Sequence, residues 1–147
     1  MESHSEPGHA AADCVFCRIA GGRLPSIRVC EDKDFLVIMD INPQTEGHCL
    51  ILTKEHFETL GEVPDKILAQ ALPLAKKLGR AAVKGLGAAG FNLLQNNGTA
   101  AGQAVPHWHM HVIPRRGPGE LKSPFRPGPP ADMPQLPFVA EKIRLNL

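Results

Sequence analysis

The chain has 147 residues, 43% hydrophobic and 21% charged, which fits one packed domain and excludes a wholly disordered chain. Its 16 Lys and Arg stand against 15 Asp and Glu, a formal charge of +1, so it offers no basic field for long nucleic acid and no acidic tail to imitate one. No apolar run approaches the roughly 18 residues of a membrane helix, and the polar stretch 1–13 reads as a flexible leader without an export signal, so a cytoplasmic protein with no membrane partner is expected. Cys14–Ala20 reads as one or two helical turns closed by Gly21 and Gly22. Ile27–Glu31, Phe35–Met39 and Cys49–Thr53 read as strands, the last two as short apolar runs of the buried kind. Glu55–Leu60 is expected as a short helix. Pro64–Leu86 carries the longest helical pattern, with Ile67, Leu68, Ala71, Leu72, Ala75, Leu78, Ala82 and Leu86 at three- and four-residue steps. Pro73 inside that pattern predicts a kink or break. Phe91–Gln95 is expected as a strand, Asn96–Gln103 as a Gly-rich loop and His107–Ile113 as a strand. The prolines from Pro114 onward predict an irregular extension over 116–147 with no regular core element, except a last short helix or packing segment at Val139–Leu145. Strands joined by short links around one long helix give an α+β class with an antiparallel sheet.

Four cysteines are too few for a disulfide scaffold at this length. Cys14 and Cys17 form a C-x-x-C, the spacing of a metal half-site or a redox pair, and candidates for further metal ligands are His48, His56 and His107. Cys30 and Cys49 sit in apolar runs and read as inert buried thiols.

The seven histidines are unevenly placed: three fall at 107, 109 and 111. Side chains of a strand alternate faces, so the run His107-Trp108-His109-Met110-His111 puts the imidazoles on one face and Trp108 and Met110 on the other. Polar strand faces ordinarily use Thr, Lys and Glu; a row of imidazoles is a source of nucleophiles, acids, bases or metal ligands near neutral pH. The small-residue loop Asn96–Gln103 just before it can bring backbone N–H groups close to an anion, so a phosphate is expected between amides and imidazoles.

The motif His107-Trp108-His109-Met110-His111-Val112-Ile113 resembles the signature of the histidine triad (HIT) superfamily. With it come Asp40-Ile41-Asn42-Pro43, Gly47-His48, Lys54-Glu55-His56, Asn96 with Gly98, and Gly102-Gln103, so that the resemblance covers Cys14 to Arg115. It implies a HIT domain over 14–115 with a five-stranded antiparallel sheet and two main helices. It also implies a homodimer with a continuous sheet, and an extension at 116–147 packing on or near the active site. The implied activity is hydrolysis or transfer at the α-phosphate of purine nucleotide derivatives, phosphoramidates or dinucleoside polyphosphates, through a covalent nucleotidyl-histidine. In that scheme His109 is the nucleophile, His111 bonds the non-bridging phosphate oxygens and His48 supports them. Asn96, Gly102 and Gln103 surround the phosphate, Asp40 takes the ribose hydroxyls, and Phe16, Ile19 and Ile38 line a base pocket that reads purines loosely. Without the resemblance, Asp40 reads as an Asx cap of the Asn42-Pro43 turn and the three apolar residues as core. Many family enzymes carry Ser or Thr where this chain has Ala104, a departure expected to weaken protonation of an amine leaving group.

The zinc-containing members imply Cys14, Cys17, His56 and His107 as a structural Cys2His2 zinc site, with His48 the competing third ligand. The other functional reading is a non-enzymatic nucleotide- or partner-binding module with a structural zinc. The near-neutral charge speaks against a DNA-end-processing relative, and His111 against a uridylyltransferase.

Overall fold

A computed structural model describes residues 13–147; of the leader expected at 1–13, all but Asp13 lies outside them. Strands β1 (Arg28–Glu31), β2 (Phe35–Met39), β3 (Cys49–Thr53), β4 (Gly90–Leu94) and β5 (His109–Arg115) form one antiparallel sheet in the order β1-β2-β3-β5-β4. Helices α1 (Val15–Ala20), α2 (Asp65–Leu86) and α3 (Leu136–Arg144) complete the α+β fold. Among the described residues no helix is long and apolar enough to cross a membrane.

The sheet is covered on both faces, which is why β2 and β3 are buried at every position. Phe35, Val37, Met39, Cys49 and Ile51 turn toward α2 and α3, with Trp108 and Val112 in the same cluster. Leu36, Ile38, Leu50 and Leu52 turn the other way and pack with Phe16, Cys17 and Ile19 of α1. In the β3–β5 register Leu50 opposes His111 and Leu52 opposes His109, so both imidazoles lie on the α1 face. Asp32 shapes the β1–β2 turn by accepting from the amides of Asp34 (2.9 Å) and Phe35 (2.8 Å). Cys49 is buried and its thiol is pushed up to about 12, mainly by desolvation; Cys30 is only half-buried, and its thiol is raised for the same reason.

Four expectations change. Helix α2 runs unbroken through Pro73, because Pro73 and Ala69, whose carbonyl lacks a partner there, both lie on the exposed face where water can serve it. Glu55–Leu60 is not helical. One short 3-10 turn at Leu60–Glu62 stands there instead, and the Phe57 carbonyl is taken by the amide of Trp108 at 2.6 Å. The β5 strand starts at His109, not His107, and continues through Pro114 to Arg115. Pro114 is tolerated because the pairing with β3 ends at Val112, and the Pro114 carbonyl accepts from Thr45 Oγ1 at 2.6 Å. Beyond it, the extension does supply core: α3 begins at Leu136 and buries Leu136, Val139, Ala140 and Ile143 against α2 and β1. Pro137 sits in the first turn of that helix, where its missing N–H costs nothing.

Candidate active site and metal centre

A cavity of about 440 Å³ opens on the α1 face of the sheet. Phe16, Ile19 and Ile38 form an apolar wall; His48, His109 and His111 border it with Asp40, Asn96 and Gly102. Ala104 also borders it, and so does the segment Pro124–Pro127 of the extension.

The hydrogen bonds fix how the imidazoles carry their protons. His109 Nδ1 lies 2.7 Å from the His107 carbonyl oxygen, which can only accept. The proton is therefore on Nδ1, and Nε2 keeps its lone pair. Burial lowers the affinity of this ring for a second proton, and the Phe16 ring packs on it at an interplanar angle of 76° and a centroid distance of 5.0 Å. That is the form a nucleophilic imidazole needs.

His48 Nδ1 accepts from the Gln44 amide at 3.0 Å, so its proton sits on Nε2. His48 Nε2 donates to His111 Nδ1 at 2.9 Å, which leaves His111 with its N–H on Nε2. The pair thus offers a neutral, oriented N–H donor at the cavity, of the kind that stabilises charge developing on a phosphoryl oxygen. Burial holds His111 at about 3, with His48 and His109 adding to the effect, and burial lowers His48 as well. Asp40 accepts the Asn42 amide on Oδ1 at 2.7 Å and places Oδ2 3.4 Å from His48 Nε2. It is therefore both the cap of its turn and a cavity-facing carboxylate.

His107 departs from the expected row. Its ring leaves the cavity and is fully buried; Nε2 donates to the Thr53 carbonyl at 2.7 Å. Nδ1 then faces Cys14 Sγ at 3.2 Å and Cys17 Sγ at 3.5 Å, while His56 Nδ1 lies 3.3 Å from Cys17 Sγ. The four candidate ligand atoms all lie within 4.8 Å of one another. Sulfur and nitrogen ligands of a tetrahedral zinc stand about 3.5 Å apart, so the donor set and its spacing fit that ion. His48 is instead engaged with Gln44 and His111.

The loop 96–103 also differs from its expected role. Its amides at Gly98, Ala101, Gly102 and Gln103 are consumed within the loop. The Gln103 side chain does not border the cavity. It accepts from Gly98 N at 2.7 Å and donates to the carbonyls of Glu58 (2.7 Å) and Val105 (3.0 Å), which makes it the brace of the loop. Asn96 and Gly102 do reach the cavity; Gly102 turns with φ +90, open to glycine and strained for other residues.

A family model of the HIT domain matches residues 22–117. The chain belongs to the HIT domain family. This HIT protein is 41% identical to an adenosine 5′-monophosphoramidase of Saccharomyces cerevisiae, over 76% of this chain and 68% of that one. It is 45% identical to an adenylylsulfatase of Arabidopsis thaliana over 71% of this chain, and spans only 53% of that longer protein. A zinc-bound histidine triad family protein from Mycobacterium smegmatis matches its fold with a TM-score of 0.80 at 37% identity, covering 91% of this chain and 92% of that one.

Gln44 and the segment Pro124–Pro127 have no motif in the sequence; Gln44 reaches the HIT site from the loop before β3, and the path of the extension brings Pro124–Pro127 there.

The depressed proton affinity of His111 has a measurable sign. Its folded value of about 3 lies below the ordinary 6.5, so the folded state binds this proton less well than the unfolded chain. The associated stability is complete above pH 6.5 and drains away as the pH falls toward 3. Between pH 6.5 and 4.5 it amounts to about 1–3 kcal/mol. His111→Asn, whose amide oxygen can replace the Nδ1 acceptor, is expected to flatten the fall of Tm over that range relative to the wild type. Parallel Tm profiles for the two proteins would contradict the assignment.

Proposed function

We propose that this HIT protein is a nucleotidyl hydrolase that cleaves purine nucleotide derivatives at the α-phosphate through a covalent intermediate on His109. The observation carrying this reading is the pair of fixed tautomers: a lone pair on His109 Nε2 beside an N–H on His111 Nε2, both at one cavity. His109 Nε2 attacks phosphorus and the bond to the leaving group breaks. The His111 N–H bonds a non-bridging oxygen as its charge grows. Water then displaces the nucleotide from the imidazole, and the electron pair of the P–N bond returns to Nε2. The base lies along Phe16, Ile19 and Ile38, and Asp40 receives the ribose hydroxyls through Oδ2. Apolar walls hold a purine by area more than by pattern, so adenine and guanine derivatives are both accepted.

The relatives named for adenosine monophosphoramidase and adenylylsulfatase activity support this class of reaction. In this reading Cys14, Cys17, His56 and His107 hold a structural zinc, which closes four protein ligands around the ion and ties α1 to the segment entering β5. Two copies join along β4, one of the two outer strands of the sheet, where Phe91 and Leu93 are exposed. A panel of adenosine and guanosine phosphoramidates, phosphosulfates and dinucleoside polyphosphates, read by release of AMP or GMP, tests the reading. Turnover of at least one class is expected; release of neither product from any of them would refute it.

A further inference from the structure

The cavity wall contributed by the extension is fastened at defined points. Gln44 Nε2 donates to the carbonyls of Ser123 and Arg126, both at 2.8 Å, and Gln44 Oε1 accepts from Arg115 Nη2 at 2.9 Å. Every polar atom of that amide is therefore engaged. Two residues further on, the Gly128 amide bonds the Asn42 carbonyl at 2.9 Å, and a Cβ at Gly128 would lie 1.7 Å from the Pro43 oxygen, an approach only glycine permits. At the other side, the Phe125 ring comes within 3.3 Å of where a Cβ of Gly102 would stand. The segment thus bridges the loop that leads into His48 and the loop that leads into β5, and it brings Arg126 to the cavity.

Arg126 is a cation without an acidic partner among the described residues. The one carboxylate bordering the cavity, Asp40, is occupied by the Asn42 amide and faces His48. Ala104, beside Gly102, has no hydroxyl to pass a proton. The imidazoles are already committed, His109 with its proton held on the His107 carbonyl and His111 with a single N–H. Such a site is poor in acids, and the cation at its border is the exposed Arg126. An amine must gain a proton before its P–N bond breaks. An oxyanion takes the electron pair of the P–O bond with it and needs only charge to receive it.

We infer that the segment Pro124–Pro127 selects substrates whose leaving group departs as an oxyanion, a sulfate or a phosphate chain, and that Arg126 is the specificity-determining residue meeting its charge. This rests on the hydrolase reading above. In the reaction, the His109 lone pair forms the N–P bond, the P–O bond breaks, and its electrons leave on the oxyanion beside Arg126. Water later supplies the oxygen for AMP and loses a proton to solvent.

The test uses the full chain as wild type, Arg126→Gln and Arg126→Lys, with kcat/KM measured for adenosine 5′-phosphosulfate, a diadenosine polyphosphate and adenosine 5′-phosphoramidate. Arg126→Gln is expected to lose about 10–100-fold on the oxyanion substrates and less than about threefold on the phosphoramidate, with Lys recovering part of the loss. A loss on one oxyanion substrate alone identifies sulfate or the phosphate chain as the group recognised. Equal losses on all three, or no loss on any, would overturn the inference while leaving the hydrolase reading intact. A wild type that releases AMP from none of them would overturn the hydrolase reading, and this one with it.

Discussion

Replacing His109 by alanine is expected to lower kcat by about 10⁴-fold or more while leaving nucleotide affinity within a few-fold. The reaction loses the atom that forms the bond to phosphorus, and nothing nearby replaces it. His111 has its proton on Nε2 and gives its Nδ1 lone pair to His48, and His107, the first histidine of the run, is turned away with its Nε2 on the Thr53 carbonyl. In the proposed reading binding survives because it rests on the apolar wall and on Asp40, and of these only Phe16 loses its packing on the His109 ring. His109→Gly should behave alike and hold unreacted substrate for structural study. Steady-state kinetics together with isothermal titration of AMP measure the two effects separately. Near-normal turnover by the alanine variant would remove His109 as nucleophile, and equal losses in binding and rate would make it a packing residue.

Cys17→Ser is expected to release a stoichiometric zinc and lower stability by about 4 kcal/mol or more, about 10–15 °C in Tm for a chain of this size. The site is internal: Cys14, Cys17, His56 and His107 are all buried, so losing the ion leaves polar groups that water cannot reach. It also loosens α1, which carries Phe16 and Ile19 to the cavity, so the variant should bind nucleotide less well even where it remains folded. His48→Ala is expected to keep the metal and impair catalysis, and His56→Ala to lose it. Elemental analysis of each variant, with thermal denaturation, measures this. A wild type purified from zinc-containing medium with no bound metal would exclude the site, and loss from His48→Ala with retention in His56→Ala would exchange the two ligands.

Much of the site is local in origin and therefore readable. His109 and His111 share a face because strands alternate, and the C-x-x-C of α1 spans one helical turn, so Cys14 and Cys17 meet on one side. Asp40 reads equally as turn cap and ligand; Oδ1 caps the turn and Oδ2 faces His48 at the cavity. The strands β2 and β3 were readable in extent but not in facing, since a strand buried on both sides shows no alternation. His107 broke the pattern because the chain turns at that residue: its amide bonds the Val105 carbonyl at 2.8 Å, and the strand begins two residues later. The Gln103 side chain and the amides of Gly98, Ala101, Gly102 and Gln103 are engaged in or beside the loop for a related reason. A loop rich in small residues must first satisfy its own backbone, and this one spends its donors inward. Gln44, Arg115 and Arg126 lie outside any motif, because what unites them is the return of a proline-rich segment across the sheet. Long-range threading leaves no period in the sequence; the helix that anchors it, α3, is legible as the short helix or packing segment expected at Val139–Leu145 and begins three residues earlier, at Leu136.

The proposed reaction passes through a covalent nucleotidyl-His109. The most direct measurement mixes the wild-type protein with a nucleotide substrate, quenches within milliseconds at alkaline pH where the P–N bond survives, and maps the adduct by peptide mass spectrometry. The expected result is one nucleotidyl group on the peptide of β5, located at His109, formed and lost at rates that match turnover, and absent from His109→Ala. An adduct on another residue, or product formed at full rate with no adduct at any time, would contradict it.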